Sequence, residues 1–383
     1  MSVDPAQFAA EHWSRTPLLS RAKELPAGGF ADLLTDADVD ELVAERALRT
    51  PFFRTVQEGG GLPAPVRTVT AGNRRIGDLV DADALTAQHA AGATLVLQSL
   101  HRMHPPVGRF CRALAEELGH PTQCNAYVTP GGDAQGFDFH HDTHDVLVLQ
   151  VSGRKRWLVH EPVLRLPLPS QPQAGEHLVP EGAEPLLDVE LEPGDCLYLP
   201  RGYVHAALTT DVHSVHLTIG ILSTTWYDVL TDAVTLAAGD VRFRDALPVQ
   251  PSPEQGVAEV LQQAAAWLAA LEPAQVEALL QARLAKAVPP EPVGVLASAA
   301  ALRDLAPATP LRPRRGLPVR REGEVLHLPG KDVALPASCA AALDVALAGP
   351  CTVADLAAGG LDEGDALVVA RRLLREGVLV AGA

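Results

Sequence analysis

The chain has 383 residues, 47% of them apolar and 20% charged, enough for two or three domains with a hydrophobic core and too balanced for a disordered or fibrous protein. Its 47 acids against 31 bases give a net charge of −16, which repels phosphate backbones and anionic membranes except where a local basic patch intervenes, and attracts basic proteins. No apolar run approaches the roughly 18–20 residues that span a bilayer, and the N-terminal residues carry no basic signal-type segment. Cys111, Cys124, Cys196, Cys339 and Cys351 include no Cys-x-x-Cys pair, so they read as buried thiols of a cytoplasmic protein.

From Asp4 to about Leu118 the pattern predicts a mostly helical region, with Asp4-Pro5 as a capped start and Asp36–Leu48 as an amphipathic stretch. Gly59–Pro65 reads as a loop, since its glycines neither follow a strand nor open a helix as a dinucleotide site requires. Between Gln123 and Ser223 short aliphatic runs separated by Gly, Pro and Asp predict strands at Asn125–Thr129, Val146–Val151, Arg156–Val159, Cys196–Leu199 and His216–Ile221. Such spacing suits a sandwich or barrel. Trp226–Leu305 turns helical again, with Ala-rich segments at Gly256–Leu271 and Ala274–Ala287, and Pro307–Arg321 reads as a linker rich in Pro and Arg. A hairpin around Pro329-Gly330, helices near Ala337–Ala348, Thr352–Ala357 and Glu363–Glu376, and a final strand at Val378–Val380 suggest an acidic winged-helix-like module suited to protein contact rather than DNA binding. The expected domains are residues 1–227, 228–306 and 307–383.

Ligand-type residues concentrate in Phe139-His140-His141-Asp142-Thr143-His144-Asp145. On a strand His140 and Asp142 share one face while His141 points to the other, so the first two can chelate one ion. The best third ligand is His205, which the Pro200-Arg201-Gly202 turn delivers after the apolar run Cys196–Leu199. Two His and one carboxylate leave coordination positions open, an arrangement suited to non-haem Fe(II) and O2 chemistry, with zinc hydrolysis as the competing use. His141 and His144 read as supporting or solvated residues.

The segment resembles the double-stranded β-helix of the cupin and JmjC type, and within it the ribosomal-oxygenase group of 2-oxoglutarate-dependent protein hydroxylases. The resemblance rests on Asn125–Pro130, Gln135-Gly136-Phe137 leading into His140-His141-Asp142, Val148–Trp157, the Gly194–His205 stretch and His213–Thr218. It extends to Glu11–Leu19, which is similar to the family's N-terminal signature, and to the helical and winged-helix-like ends. It implies a mixed α and β fold: a jelly roll with N-terminal helices, a helical dimerisation region and a C-terminal winged-helix-like domain. It also implies that His140, Asp142 and His205 hold Fe(II), and that Lys155 binds the distal carboxylate of 2-oxoglutarate.

Asn125 and Tyr127, with Ser214, His216 and Thr218, alternate onto the barrel interior, where a dicarboxylate or one another could satisfy them. The Pro130–Gln135 loop is longer than in eukaryotic relatives and His144 stands where an apolar residue is common; both bear on substrate choice. The expected reaction uses Fe(II), 2-oxoglutarate and O2 to hydroxylate a side chain of a basic, ribosomal protein by a homodimer. The alternatives are hydroxylation of a peptide or small natural product, and a catalytically inactive metal-binding cupin that serves as a docking module.

Overall fold

In Ser214–Ile221 the apolar residues Val215, Leu217, Ile219 and Ile221 alternate with Ser214, His216, Thr218 and Gly220, so a strand there buries one face in hydrocarbon and offers the other to polar chemistry. The computed structural model describes residues 1–25, 29–132, 134–171, 178–180, 182–247, 249 and 256–382. Two compact units result, Met1–Ser223 and Thr224–Ala383.

In the first unit, β1 (Leu18–Ser20), β2 (Phe53–Gln57), β3 (Gly60–Gly61), β4 (Val66–Ala71), β5 (Arg74–Val80) and β6 (Thr94–Leu97) precede β7 (Thr122–Thr129) and β8 (Asp145–Gly153). There follow β9 (Lys155–His160), β10 (Leu187–Leu191), β11 (Cys196–Leu199), β12 (Val204–Leu208) and β13 (Ser214–Ile221). An eight-stranded sheet runs β1-β11-β8-β13-β7-β6-β2-β3, and a three-stranded sheet runs β10-β9-β12. Helices α1 (Pro5–Gln7), α2 (Asp36–Ala44), α3 (Ala82–Ala90) and α4 (Pro105–Leu118) complete the unit.

Alternation along β8 divides the interior in two. Leu147 and Leu149 join Ala126, Leu217 and Ile219 in a core shared with Leu42, Leu85 and Val107 of the helices. Val146 and Val148 face the other way, against Trp157, Val159 and Leu191 of the small sheet. Full burial of each such side chain contributes about 1.5–3 kcal/mol.

The expectation of a mainly helical N-terminal region is overturned, because six strands lie there. Thr94–Leu97 is buried at every position and pairs with both β2 and β7, so its four residues belong to the sheet. So short an apolar run carries no period by which helix and strand can be told apart. The Gly59–Pro65 stretch likewise contributes β3.

The second unit contains α5 (Trp226–Thr235), α6 (Val257–Ala269), α7 (Pro273–Leu284) and α8 (Val295–Arg303), as the Ala-rich pattern predicts, apart from residues 248 and 250–255, which lie outside the described residues. No residue described in α6, α7 or α8 is buried. The expected linker is corrected: within it β14 (Pro310–Pro313) is the central strand of a sheet with β18 (Cys351–Thr352) and β19 (Leu379–Ala381), with Leu311 fully buried. Two of its arginines are held by Glu291, Arg312 Nη1 with Oε1 at 2.7 Å and Arg314 Nε donating to the backbone O at 2.8 Å. A second sheet joins β15 (Arg320–Glu322), β16 (Val325–Leu328) and β17 (Lys331–Ala334). Helices α9 (Ala340–Ala348), α10 (Val353–Ala358) and α11 (Glu363–Glu376) share one core with both sheets, through Leu311, Leu326, Leu343, Leu356 and Leu373.

Candidate metal and cosubstrate site

His140 reaches the site as a lone antiparallel bridge to His205 of β12: His140 N donates to His205 O at 3.1 Å, and His205 N to His140 O at 2.8 Å. Residues 141–144 do not continue as a strand, so alternation is not what orients Asp142. Gly202 N donates to Asp142 O at 3.0 Å instead, tying that segment to the turn that delivers His205. Gly202 needs its freedom there, with φ +94° and Leu164 O only 2.6 Å from where a Cβ would stand. Buried Asp145 fixes the same turn, accepting from Arg201 N at 3.1 Å, Tyr198 OH at 3.2 Å and Ser223 Oγ at 2.7 Å.

One ligand atom each of His140, Asp142 and His205 lies within 4.8 Å of the others, and among the described residues no fourth His, Cys, Asp or Glu joins them. Both imidazoles are oriented through Nδ1, which donates to Asp138 O at 2.8 Å in His140 and to Tyr203 O at 3.0 Å in His205. A carbonyl only accepts, so Nδ1 carries the proton and Nε2 keeps its lone pair, the tautomer a metal requires. Burial, followed by the neighbouring His140, pushes His205 down to about 4 and holds it neutral. The donor set therefore fits a divalent transition metal.

The triad opens on a cavity of about 390 Å³, whose lining includes Arg54, Tyr127, Phe137, Lys155, Trp157, His216 and Thr218. Lys155 is 3% exposed, and its Nζ donates to Thr129 Oγ1 at 2.9 Å. Burial lowers its pKa to about 7. An ammonium so placed, with a hydroxyl as its hydrogen-bond partner, matches an incoming carboxylate. Thr129 Oγ1 also accepts from Thr94 Oγ1 at 3.1 Å, which leaves its own proton to donate elsewhere. The indole Nε1 of Trp157 and Nδ1 of His216 are buried with no hydrogen-bond partner among the described residues. Tyr127 stacks on His216 at 4.9 Å, and burial, then Asp142, raises its phenol to about 12.

Of the residues singled out in the sequence, His140, Asp142, His205, Lys155, Tyr127, His216 and Thr218 converge on this cavity. Asn125 and Ser214 do not line it and are bonded elsewhere: Asn125 Oδ1 accepts from Ser99 N at 2.9 Å, and Ser214 Oγ from Gln150 Nε2 at 3.0 Å. His141 is buried and His144 lies against Gly220, with neither lining the cavity. In the Pro130–Gln135 loop, Asp133 lies outside the described residues. Sequence reasoning missed Thr129, which shares its strand face with Asn125 and Tyr127 and was accessible to the same alternation. It also missed Arg54, and it named Phe137 within the motif without a role at the site; the Arg54 guanidinium lies 5.0 Å over the Phe137 ring, a pairing between β2 and a loop after β7 that no local pattern announces.

Residues 97–229 match the model of the JmjC domain family. The chain is 32% identical over 273 residues to ribosomal oxygenase 1 of Gallus gallus, covering 66% of this chain and 42% of that protein. It is 30% identical over 217 residues to the bifunctional lysine-specific demethylase and histidyl-hydroxylase NO66 of Drosophila persimilis, covering 56% of this chain and 29% of the other. The chain thus spans less than half the length of these curated relatives. Among solved structures, Escherichia coli ribosomal oxygenase YcfD in complex with cobalt and 2-oxoglutarate superimposes with a TM-score of 0.58 at 17% identity, covering 100% of this chain and 99% of that one. That likeness establishes a shared fold.

Proposed function

We propose, on the footing that residues 97–229 are a JmjC domain, that the chain is an Fe(II)- and 2-oxoglutarate-dependent oxygenase hydroxylating a side chain of a basic ribosomal protein. The observation that carries this reading is a three-donor cluster with no fourth ligand among the described residues, opening on a cavity that also holds a buried lysine. Bound Fe(II) with 2-oxoglutarate and O2 supplies the conversion of a C–H bond to an alcohol, with release of succinate and CO2.

His140 and His205 hold the iron through Nε2, and Asp142 adds the anionic ligand. Lys155 holds the distal carboxylate of 2-oxoglutarate, positioned by Thr129. Tyr127 remains a phenol and Trp157 offers Nε1–H, so both serve as donors around the cosubstrate, and Thr218 lines the same wall. Asn125 and Ser214 support that wall through their bonds to Ser99 and Gln150. Phe137, Trp157 and Val148 keep water from the reacting centre.

The exposed apolar side chains of residues 226–303 support a homodimerisation region at 228–306, following a catalytic region at 1–227. Residues 307–383 serve as a winged-helix-like module for protein contact, and the protein works in the cytoplasm. Incubating the full chain with Fe(II), ascorbate, 2-oxoglutarate and a pool of ribosomal proteins is expected to form succinate and add one oxygen to one of them, read by mass spectrometry. Stimulation by peptides or small natural products alone would replace the substrate class. Absence of any 2-oxoglutarate turnover would favour the docking module.

A further inference from the structure

The hairpin β4–β5 is a two-stranded sheet that, among the described residues, pairs with no other strand, apart from a single bridge at its base between Arg49 and Leu79. Its base is fixed: Arg49 clasps Asp78 with Nε to Oδ2 at 3.0 Å and Nη2 to Oδ1 at 2.8 Å, Thr50 N donates to Asp78 O at 3.1 Å, and Asp81 N to Pro65 O at 2.9 Å. Its outer part is free. Of residues 66–75 all but Val69 are exposed, and a Cβ on Gly72 at the tip, where φ is +56°, would meet nothing within 4 Å.

The charge on this projection opposes that of the whole chain. Residues 66–77 contain Arg67, Arg74 and Arg75 and no acid, in a protein of net charge −16. The nearest carboxylate in sequence, Asp78, is engaged by Arg49. None of the three arginines forms an ion pair with a described residue, whereas Arg21, Arg156, Arg283, Arg312 and Arg321 all do. Between the guanidinium groups stand Thr68, Thr70 and Asn73, neutral donors that also suit phosphate oxygens.

Arg67, Arg74 and Arg75 are exposed and form no ion pair with a described residue, so they contribute little to the fold. They do form a local positive field that a basic polypeptide would avoid and a polyanion would seek. The finger is also close to the catalytic cavity. Gly59 lines that cavity and Val66 follows seven residues later, so the base of the hairpin lies within about 25 Å of it even with the intervening chain fully extended.

We propose that the β4–β5 hairpin binds the phosphate backbone of RNA through Arg67, Arg74 and Arg75, so that the enzyme can engage a basic protein substrate presented with RNA. The choice of RNA over other polyanions rests on the ribosomal-substrate reading above; the finger itself does not depend on catalysis. Contact with the backbone alone predicts binding that is sequence-independent, weak and steep in salt. An RNA site and a protein site on one unit would strengthen each other, the second contact forming at the effective concentration set by the first.

The test is fluorescence anisotropy of a labelled 20-nucleotide RNA stem-loop with the full chain, compared with the variant Arg67→Gln/Arg74→Gln/Arg75→Gln. Melting temperature and uncoupled 2-oxoglutarate turnover, both expected to be unchanged, show that the variant is folded. Wild-type affinity should fall steeply between 50 and 200 mM salt, and the variant should bind at least about 10-fold more weakly, with a salt slope shallower by roughly one unit per arginine removed. Equal binding by both proteins, or no binding by the wild type at 50 mM salt, overturns the proposal. Tighter binding to poly-glutamate or to a DNA duplex than to RNA assigns the finger to another polyanion and also overturns it. None of these readouts requires hydroxylation, so failure of the finger and failure of the oxygenase reading are distinguishable.

Discussion

Backbone carbonyls decide what the two imidazoles can do. Because Asp138 O and Tyr203 O take the Nδ1 protons of His140 and His205, each ring offers Nε2 toward the point where Asp142 supplies a negative charge, and the carboxylate is the one anionic donor of the three. Asp142→Ala should therefore weaken Fe(II) or Mn(II) binding more than about 100-fold and reduce succinate formation to background. Anaerobic metal titration checks this, and near-normal turnover would refute the assignment. Lys155 makes a second prediction with a sign. Burial holds its ammonium near pKa 7, with His216 and the Thr129 hydroxyl facing it and Arg54, Asp138 and Asp142 among the charges around the same cavity. Bound carboxylate favours the charged form, so above pH 7 cosubstrate binding should take up close to one proton and weaken as pH rises. Calorimetry in buffers of different ionisation enthalpy measures the uptake. Lys155→Met should abolish it and raise the 2-oxoglutarate dissociation constant roughly 10- to 100-fold. The same depressed pKa makes the unfolded chain hold one more proton between about pH 7 and the ordinary lysine range near 10.4, so without cosubstrate this residue's contribution to stability rises with pH across that window.

Turns place these residues on their strands. Gly153 closes β8 onto β9 with φ +62°, and a Cβ there would stand 1.7 Å from His213 O, on the chain leading into β13. Gly72 has a similar φ of +56° with open space around it. Gly153→Ala should accordingly cost roughly 2–4 kcal/mol in urea denaturation, whereas Gly72→Ala should cost about 1 kcal/mol from backbone strain alone. Equal losses would mean that the turn after β8 relaxes. Elements of this kind differ in how openly they are written. Cys196–Leu199 and Glu363–Glu376 fold at the bounds their apolar patterns predict. Thr94–Leu97 and Pro310–Pro313 could not be read that way: the first is too short to show a period, and the second carries prolines at both ends that argue against a strand until its partners from residues 351–352 and 379–381 arrive.

At the scale of the molecule, the helices of residues 226–303 are where large apolar side chains stand exposed to water. Trp226 is 79% exposed and Leu296 84%, alongside Tyr227, Leu230, Val234 and Leu261, and a monomer rarely leaves so much apolar surface uncovered. A homodimer covers such surface by symmetry. Light scattering is expected to give twice the chain mass, and Leu230→Glu with Leu296→Glu should shift it toward the monomer; a monomeric wild type would refute the assembly.

The amino-acid sequence by itself determined the chemistry: which imidazoles and which carboxylate can hold a metal, that Lys155 follows a turn at a fixed interval, and that β13 has one apolar and one polar face. The faces of β13 are local, set by a two-residue period, and the ligands are legible as residue types, but it is the bond from Gly202 N to Asp142 O and the bridge between His140 and His205 that bring them together. Tertiary structure alone decided that Asn125 and Ser214 bond to Ser99 and Gln150 instead of lining the cavity, that Thr129 rather than a carboxylate meets Lys155, and that Arg54 from β2 leans over Phe137. Each depends on strands distant in sequence meeting in one register, and a local period carries no information about which partner a strand will find.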